Sequence, residues 1–312
     1  MLKWVIYQKN FMDKSGIELL YKTLRKGKKK RLVMANGIDV HSLETALKAG
    51  NDGLAEVYIT GVKSEFELQC RISGFDPLWF NLVDCATEEE AVVRAVQMAK
   101  NNEADLVMKG FVSTDQFMKA LLNKHKGLWE PGILLTHVTM IFTPTYFKPL
   151  LVSDVAIIPK PTFEQKIRMT RYLIDVAHKL GISNPNVAFI AATEQVIPGM
   201  EATTDAQKLK ELWANGNFPG SVCDGPMALD IALDAESARI KNFDSPVAGN
   251  ADCLLFPNIE AGNIFYKTNT KLCRAETAAI VVGTKIPVVL SSRGDTMDVK
   301  LNSIALAATI GK

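Results

Sequence analysis

The chain has 312 residues, of which 47% are hydrophobic and 22% charged, so it is long enough for two ordinary domains with substantial cores. Its 36 Lys and Arg residues nearly balance 34 Asp and Glu residues, and a formal net charge of +2 gives no chain-wide field that would favour nucleic acid or an anionic membrane. No uninterrupted apolar run approaches the roughly 20 residues of a membrane-spanning helix. The sequence therefore predicts a globular protein with neither nucleic acid nor a membrane as partner.

The first residues, MLKWVIYQKNFMDK, do not resemble a signal peptide, because charges interrupt their apolar stretch and no small-residue cleavage site follows. The basic run KTLRKGKKKR, at 22–31, is interpreted as a solvated helix end that leads into a strand. One alternative is that the run binds nucleic acid, but it lacks interleaved aromatic residues. The other is that part of the run attracts a nucleotide-bearing cofactor.

Short apolar runs alternate with longer amphipathic ones, which is typical of β and α units that feed a largely parallel sheet. In the first part of the chain, the pattern predicts strands over 31–36, 56–61 and 105–110, a helix near 41–50 and a helix that begins at a Thr87–Glu90 capping-box signature. After residue 160 it predicts helices over about 163–180, 204–214, 227–241 and 260–273, and strands over 186–192, 251–257 and 286–292.

Between these two series lies a passage that contains four prolines: Pro144, Pro149, Pro159 and Pro161. Prolines punctuate secondary structure and the αβ rhythm restarts beyond them, so this passage is a candidate hinge between two domains. The alternative is a long connection within one domain.

Five cysteines are spread along the chain without the C-x-x-C spacing of zinc or redox sites: Cys70, Cys85, Cys223, Cys253 and Cys273. They predict free thiols in a reducing cytoplasm.

Polar side chains follow the last predicted strand directly, as Ser291, Ser292, Arg293, Asp295 and Asp298. In alternating α/β sheets, ligands bind beyond the carboxyl ends of the strands, so this segment is a candidate active site. Other polar strand ends lie at 108–110, 192–195 and 257–263. The alternative for 291–298 is a turn in which Ser caps the next helix and Arg pairs with Asp.

Five segments carry a resemblance to a known family, in the family's own order: ADLVMKGFVSTDQFMKALL, AATEQVIPGMEATTDA, DGPMALDIAL, GNADCLLFPNIEAGNIFYK and KIPVVLSSRGD. They resemble the motifs of the phosphate acetyltransferase and phosphate butyryltransferase family, most closely the butyryl branch. The resemblance implies a two-domain α/β fold of the isocitrate/isopropylmalate dehydrogenase-like type, with the site in the interdomain cleft. Domain I would comprise 1–145 plus 289–312 and domain II would comprise 146–288.

The implied reaction interconverts butanoyl-CoA and phosphate with butanoyl phosphate and CoA. Coenzyme A is then a substrate, and no separate cofactor is expected. The implied protein is a cytoplasmic homodimer or higher homo-oligomer whose partners are the small molecules acyl-CoA and phosphate.

This chemistry requires a base for the thiol, a cation for phosphate and a donor for the oxyanion. The resemblance places Ser292 and Arg293 at the family's catalytic dipeptide, and a guanidinium can offer a planar fork to phosphate oxygens. The base is Asp295, which matches the butyryl branch's SR-x-D pattern, or Asp298, which is near the spacing of the acetyl branch. Either Asp is also a candidate N-cap of the following helix.

Six further residues, of which Trp129 is one, are candidate substrate contacts. Lys109 and Gly110 end a predicted strand, where the Lys can meet phosphate or CoA oxygens. Glu260 and Asn263 lie one helical turn apart beyond another strand, followed by Lys267. The alternative for this second set is capping and packing of the following helix.

Trp129 marks a departure from the family pattern. The butyryl branch has a GLR-T-G segment here, whereas this chain has GLWEPG, which replaces a cation with an aromatic residue and a carboxylate. Either an anion contact has been lost, or Trp129 forms an apolar wall of the acyl pocket.

Two other functions are alternatives. The missing arginine favours a non-catalytic relative that binds an acyl-CoA or a phosphometabolite in a regulatory role. A decarboxylating dehydrogenase is disfavoured, because the chain has neither a clustered carboxylate pair for a metal nor a G-x-G-x-x-G after the first strand. We therefore expect no metal and no nicotinamide cofactor. His137 is expected to be a buried, hydrogen-bonded residue of a strand.

Overall fold

The computed structural model describes residues 16–25, 27–291 and 294–311. Strands and helices alternate through the first part of the chain, and a short 3-10 turn, Pro77–Trp79, interrupts them. The bounds up to residue 135 are α1 Gly16–Arg25, β1 Lys30–Ala35, α2 Val40–Asn51, β2 Ala55–Gly61, α3 Lys63–Ser73, β3 Asn81–Asp84, α4 Glu88–Lys100, β4 Leu106–Lys109 and α5 Thr114–Leu121.

The remaining elements follow the same alternation, with a pair of short helices in the middle. Their bounds are β5 Thr136–Phe142, β6 Leu150–Ser153, α6 Phe163–Lys179, β7 Asn186–Ile190, α7 Glu201–Ala214, β8 Val222–Met227, α8 Leu229–Leu233, α9 Ala235–Ile240, β9 Cys253–Leu255, α10 Ile259–Lys271, β10 Glu276–Val282, β11 Val288–Val289 and α11 Met297–Ile310. Within the described ranges, no helix is both long enough and apolar enough to cross a membrane.

The chain divides into two compact units. The first unit consists of residues 17–135 and 278–311, and its strands lie in the order β3-β2-β1-β4-β11-β10. All neighbouring pairs are parallel except the antiparallel pair of β10 and β11. Because β1, β2, β3, β4 and β11 run in one direction, their carboxyl ends lie at the same edge of the sheet.

The second unit consists of residues 136–277, with the strand order β5-β6-β9-β7-β8. Only β5 and β6 pair antiparallel, and the other neighbours are parallel. Every residue of β5 is buried, and the hydrophobic core of this unit includes Ile141, Val152, Leu254 and Phe256. The carboxyl ends of β6, β9 and β7 therefore share one edge of this sheet.

The predicted domain boundaries, 145/146 and 288/289, stay a prediction. The two compact units divide at 135/136 and 277/278. The proline-containing passage holds β6, which pairs with β5 and β9 inside the second unit.

One predicted helix is wrong in its extent. The helix expected over 227–241 is two helices, because the backbone of Asp234 is extended, with φ −129° and ψ 115°. The Asp234 carboxylate accepts a hydrogen bond from Ser237 N at 2.8 Å and so caps α9. The basic run agrees with its main interpretation, since α1 ends at Arg25, Lys28 and Lys29 are exposed, and β1 begins at Lys30.

Candidate active site

Three strand ends meet at one edge of the first unit's sheet. The register pairs Ala35 with Lys109, and Met108 with Val289, so the residues that follow β1, β4 and β11 are neighbours. Ser291 Oγ donates to the Lys109 carbonyl oxygen at 3.4 Å. This contact places Lys109 next to the residue that precedes the predicted Ser-Arg pair. Ser292 and Arg293 themselves lie outside the described residues.

Lys109 is a buried cation at this edge, with 5% of its surface exposed. Its Nζ donates to the carbonyl oxygens of Gly110 at 3.2 Å and Val112 at 3.1 Å. A buried ammonium group is stable only when its protons have acceptors, and these two carbonyls accept two of the three. The loop after β4 thus holds the charge in a fixed position at the strand end.

Gly110, directly after β4, packs against the backbone that ends and follows β1. A Cβ on this residue would be 2.7 Å from three backbone atoms, namely Ala35 O, Asn36 O and Gly37 Cα. Gly110 N also donates to Ala35 O at 2.9 Å. Packing therefore requires glycine at this position, whereas its predicted contact with substrate stays a prediction.

Asn36, which follows β1, was missed by the sequence analysis. Its backbone has a positive φ of 51°, which Asn tolerates better than most residues, and it is 3% exposed. Its Nδ2 donates to Phe111 O at 2.9 Å, while its buried Oδ1 accepts no hydrogen bond from any described residue. An unpaired buried acceptor costs about 1–3 kcal/mol, which marks a position under functional or packing constraint. The sequence offers one signal for Asn36, because a polar residue directly follows an apolar strand there.

The start of α11 corrects one expectation. Thr296 is the N-cap, and its Oγ1 accepts from Val299 N at 3.4 Å, so neither predicted Asp caps this helix. Asp295 is half-buried and lies before the cap, outside the helix, whereas Asp298 is exposed in the first turn. The Thr296 hydroxyl already accepts the hydrogen bond from Val299 N that a capping carboxylate would otherwise accept.

Trp129 is half-buried in the connection between α5 and β5. Lys124 Nζ lies 5.4 Å from the centre of its ring, a cation–π distance. The neighbouring carboxylate of Glu130 lies 2.9 Å from Lys285 Nζ, and both side chains are exposed. Lys285 thus offsets the negative charge that Glu130 introduces in place of part of the family's GLR-T-G segment.

The remaining candidates lie on α10 in the second unit. Asn258 caps this helix by accepting from Ala261 N at 3.0 Å, and Glu260 in the first turn is exposed. Asn263 Nδ2 donates to Val155 O at 2.9 Å, so it secures the loop after β6. Lys267 is exposed, with its Nζ 5.2 Å from the Tyr266 ring centre. The structure therefore places Glu260 and Asn263 on one helix but gives Asn263 a packing partner.

Asp154, directly after β6, was also missed. Its Oδ2 accepts from Thr136 Oγ1 at 2.7 Å and His137 N at 2.9 Å, and its Oδ1 accepts from Ala156 N at 2.7 Å and Ile157 N at 2.8 Å. A carboxylate with four donors is fully satisfied, so this buried residue organises the strand end. A lone Asp after a strand gives no sequence signal for four partners.

His137 is buried in β5, and its Nδ1 lies 3.0 Å from Thr139 Oγ1, which confirms the expectation for it. All five cysteines are free, as predicted. Burial raises the pKa of the Cys223 thiol to about 12, so this group stays protonated and is a poor nucleophile. Within 16–25, 27–291 and 294–311, no group of three or more His, Cys, Asp or Glu side chains is placed to hold a metal ion.

Solved structures share this architecture. A branched-chain phosphotransacylase from Enterococcus faecalis V583 superposes with a TM-score of 0.79 at 26% identity, covering 90% of this chain and 99% of that one. A 4-hydroxythreonine-4-phosphate dehydrogenase from Klebsiella pneumoniae superposes with a TM-score of 0.53 at 13% identity, covering 91% of this chain and 100% of that one. The second likeness shows the fold alone, and the predicted α/β fold class is confirmed.

Sequence comparison is more specific. A phosphate butyryltransferase of Clostridium acetobutylicum is 39% identical over 299 residues, which cover 96% of this chain and 99% of that protein. The family model described as phosphate acetyl/butaryl transferase matches residues 83–308. The chain therefore belongs to the phosphate acetyl/butaryl transferase family of acyltransferases.

Proposed function

We propose that this protein is a phosphate acyltransferase that interconverts butanoyl-CoA and phosphate with butanoyl phosphate and CoA. The observation that carries the proposal is the near full-length similarity to a phosphate butyryltransferase. The contact of Ser291 with the Lys109 carbonyl oxygen supports it, because it brings a buried cation next to the residue that precedes Ser292 and Arg293 in the sequence.

In the proposed reaction, a phosphate oxygen attacks the thioester carbonyl, the C–S bond breaks, and CoA leaves as a thiolate that takes a proton. Arg293 holds the phosphate through two N–H donors, and Ser292 donates to the carbonyl oxygen as it becomes an oxyanion. In the reverse direction, Asp295 or Asp298 accepts the thiol proton before attack on the acyl phosphate. Lys109 adds positive charge at the same edge.

Asp295 is the better candidate base on its position. It lies two residues after Arg293 and is half-buried, whereas Asp298 is exposed on α11. Asp295, which lies before the N-cap, is also closer than Asp298 to the Ser-Arg pair along the chain. Both remain in the proposal, and their variants separate them.

Substrate contacts in the second unit are assigned to Glu260 and Lys267, whose side chains are exposed on α10. Asn263 stays a candidate substrate contact, and its hydrogen bond to Val155 O also ties the loop after β6 to α10. Gly262 gives the helix its close packing, since a Cβ there would be 2.2 Å from Asp154 O.

Coenzyme A is a substrate in this proposal and no bound cofactor is needed. Five free thiols fit a reducing cytoplasm. A homodimer or higher homo-oligomer is proposed from the family resemblance.

The test is a thiol-release assay with phosphate and, in turn, acetyl-CoA, butanoyl-CoA and isobutanoyl-CoA. We expect phosphate-dependent release of CoA, fastest with the four-carbon substrates. CoA binding by calorimetry without release from any acyl-CoA would refute the enzyme and support a binding protein instead.

Trp129 is proposed as an apolar wall of the acyl pocket, because its ring is half-buried. Trp129→Arg should then raise the Michaelis constant for butanoyl-CoA, and the same exchange at the exposed Trp79 should leave it unchanged. A lower Michaelis constant for phosphate in Trp129→Arg would show instead that the position is an anion contact that has lost its cation.

A further inference from the structure

The 110–112 loop, which follows β4, carries the two carbonyl groups that hold the buried Lys109 side chain. Lys109 Nζ donates to Gly110 O at 3.2 Å and to Val112 O at 3.1 Å. Val112 N also donates to Gly110 O at 3.0 Å, so the chain turns tightly between these residues. The direction of the ammonium group therefore depends on how the peptide groups of this loop are oriented.

Asn36, directly after β1, binds both peptide groups of the 110–112 loop. The first group joins Gly110 to Phe111, and its N–H donates to Asn36 O at 2.8 Å. The oxygen of the same group is one of the two that accept from Lys109 Nζ. The second group joins Phe111 to Val112, and its oxygen accepts from Asn36 Nδ2 at 2.9 Å. A peptide group is planar, so one that is bonded at both its oxygen and its N–H cannot rotate without breaking a hydrogen bond.

Two features of Asn36 oppose folding. Its φ of 51° lies in the left-handed region, and its buried Oδ1 accepts no hydrogen bond from any residue that the structure describes. Glycine at this position would remove both costs. Strained residues of this kind cluster at functional sites, where the surrounding structure holds them. The amide at position 36 is therefore explained by its bond to Phe111 O and not by a gain in stability.

We propose that Asn36 is a positioning residue for Lys109. It fixes the two peptide groups of the 110–112 loop and so keeps the ammonium group in one place at the carboxyl edge of the sheet. Asn36 is 3% exposed, so it acts through the loop and not by contact with substrate. The consequence for turnover rests on the proposed function, in which Lys109 adds positive charge beside the reacting groups, whereas the hold on Lys109 does not.

Asn36→Gly isolates the contribution of the side-chain amide. Glycine adopts a φ of 51° without strain and keeps the main-chain carbonyl that accepts from Phe111 N, so the bond from Nδ2 is the one removed. The loss of that bond and the loss of an unpaired acceptor have opposite effects on stability, so Tm should change little. Asn102→Gly is the matched control, because Asn102 also has a positive φ, of 60°, and lies exposed in the same unit after α4.

The first measurement is the rate at which acetic anhydride acetylates Lys109 in the full chain, followed by peptide mass spectrometry. A buried amine reacts when its surroundings open, so Asn36→Gly should raise this rate about threefold to tenfold. Asn102→Gly should keep the wild-type rate. Alkylation of Cys70, which is fully buried in the same unit, should not change in either variant. The Cys70 rate separates release of the loop from unfolding of the whole unit.

The second measurement is phosphate-dependent release of CoA from butanoyl-CoA. Asn36→Gly should lower kcat about tenfold to hundredfold, and Asn102→Gly should keep it. Three results overturn the proposal: an unchanged acetylation rate at Lys109 in Asn36→Gly, equal acceleration at Lys109 and Cys70, or unchanged turnover. Absence of release by the wild-type protein refutes the proposed function instead, and the acetylation rate of Lys109 then still decides whether Asn36 holds this cation.

Discussion

Gly110→Ala tests the geometry of the candidate active site most simply. The added methyl group would lie 2.7 Å from the carbonyl oxygens of Ala35 and Asn36 and from Gly37 Cα. These obstacles are backbone atoms, so the ends of β1 and β4 must move apart. Overpacking of this kind costs about 1–3 kcal/mol. At about 2–4 °C for each kcal/mol in a chain of this size, Tm should fall by about 2–12 °C.

Activity should fall further than stability suggests, because the displaced residue is itself one of the two that accept a hydrogen bond from Lys109 Nζ. A shift of about 1 Å at a reacting site can cost about a hundredfold in rate. The assays are thermal unfolding and phosphate-dependent thiol release, with Gly50→Ala as the control. Gly50 is helical and a Cβ on it meets nothing within 4 Å, so that variant should be as stable as wild type or more so. Equal Tm and equal turnover in the two variants would refute the reasoning.

Three further predictions concern carboxylates. Asp154→Asn should lower the free energy of unfolding by about 3 kcal/mol or more, because an amide cannot accept all four of the present hydrogen bonds; denaturant titration measures this. Burial raises the pKa of Asp105, but hydrogen bonds from Arg31 outweigh it and hold that pKa below its ordinary value. Asp105→Asn should therefore lower Tm above about pH 4, and the difference should vanish as the pH falls further, when the wild-type carboxylate is protonated. Asp295→Asn should flatten the acidic limb of the rate against pH if Asp295 is the base, and Asp298→Asn should then keep the wild-type profile; the reverse result assigns the base to Asp298.

Much of the fold could be predicted because the hydrophobic periods are regular. The strand at 31–36 and the helix at 163–180 were expected within one residue of β1 and α6. Short elements were harder: β6 has four residues between prolines and shows no period of its own. The division between α8 and α9 depends on one extended residue, Asp234, whose side chain caps the second helix. A pattern of apolar residues does not indicate that the backbone becomes extended at Asp234 and a second helix begins there.

Part of the candidate site could be proposed from the sequence. Position after a strand indicated Lys109 and Gly110, and the structure places the Lys109 carbonyl oxygen in contact with Ser291, whereas the contacts of both residues with substrate stay predictions. It did not identify Asn36 or Asp154, because each has partners distant in sequence: Asn36 bonds to Phe111, and Asp154 bonds to Thr136 and His137 in addition to two nearby backbone N–H groups. A single polar residue after a strand does not show how many hydrogen bonds it makes.

The central claim is that the Ser-Arg pair after β11 performs acyl transfer to phosphate. The most direct measurement is phosphate-dependent release of CoA from butanoyl-CoA by wild type, Arg293→Ala and Arg293→Lys, with Tm recorded for each. Arg293→Ala should lose at least about two orders of magnitude in turnover at unchanged Tm, as expected for a contact to the transition-state anion. Arg293→Lys should recover only part of that loss, since a point charge does not reproduce the guanidinium fork. Turnover near the wild-type value in Arg293→Ala would contradict the account.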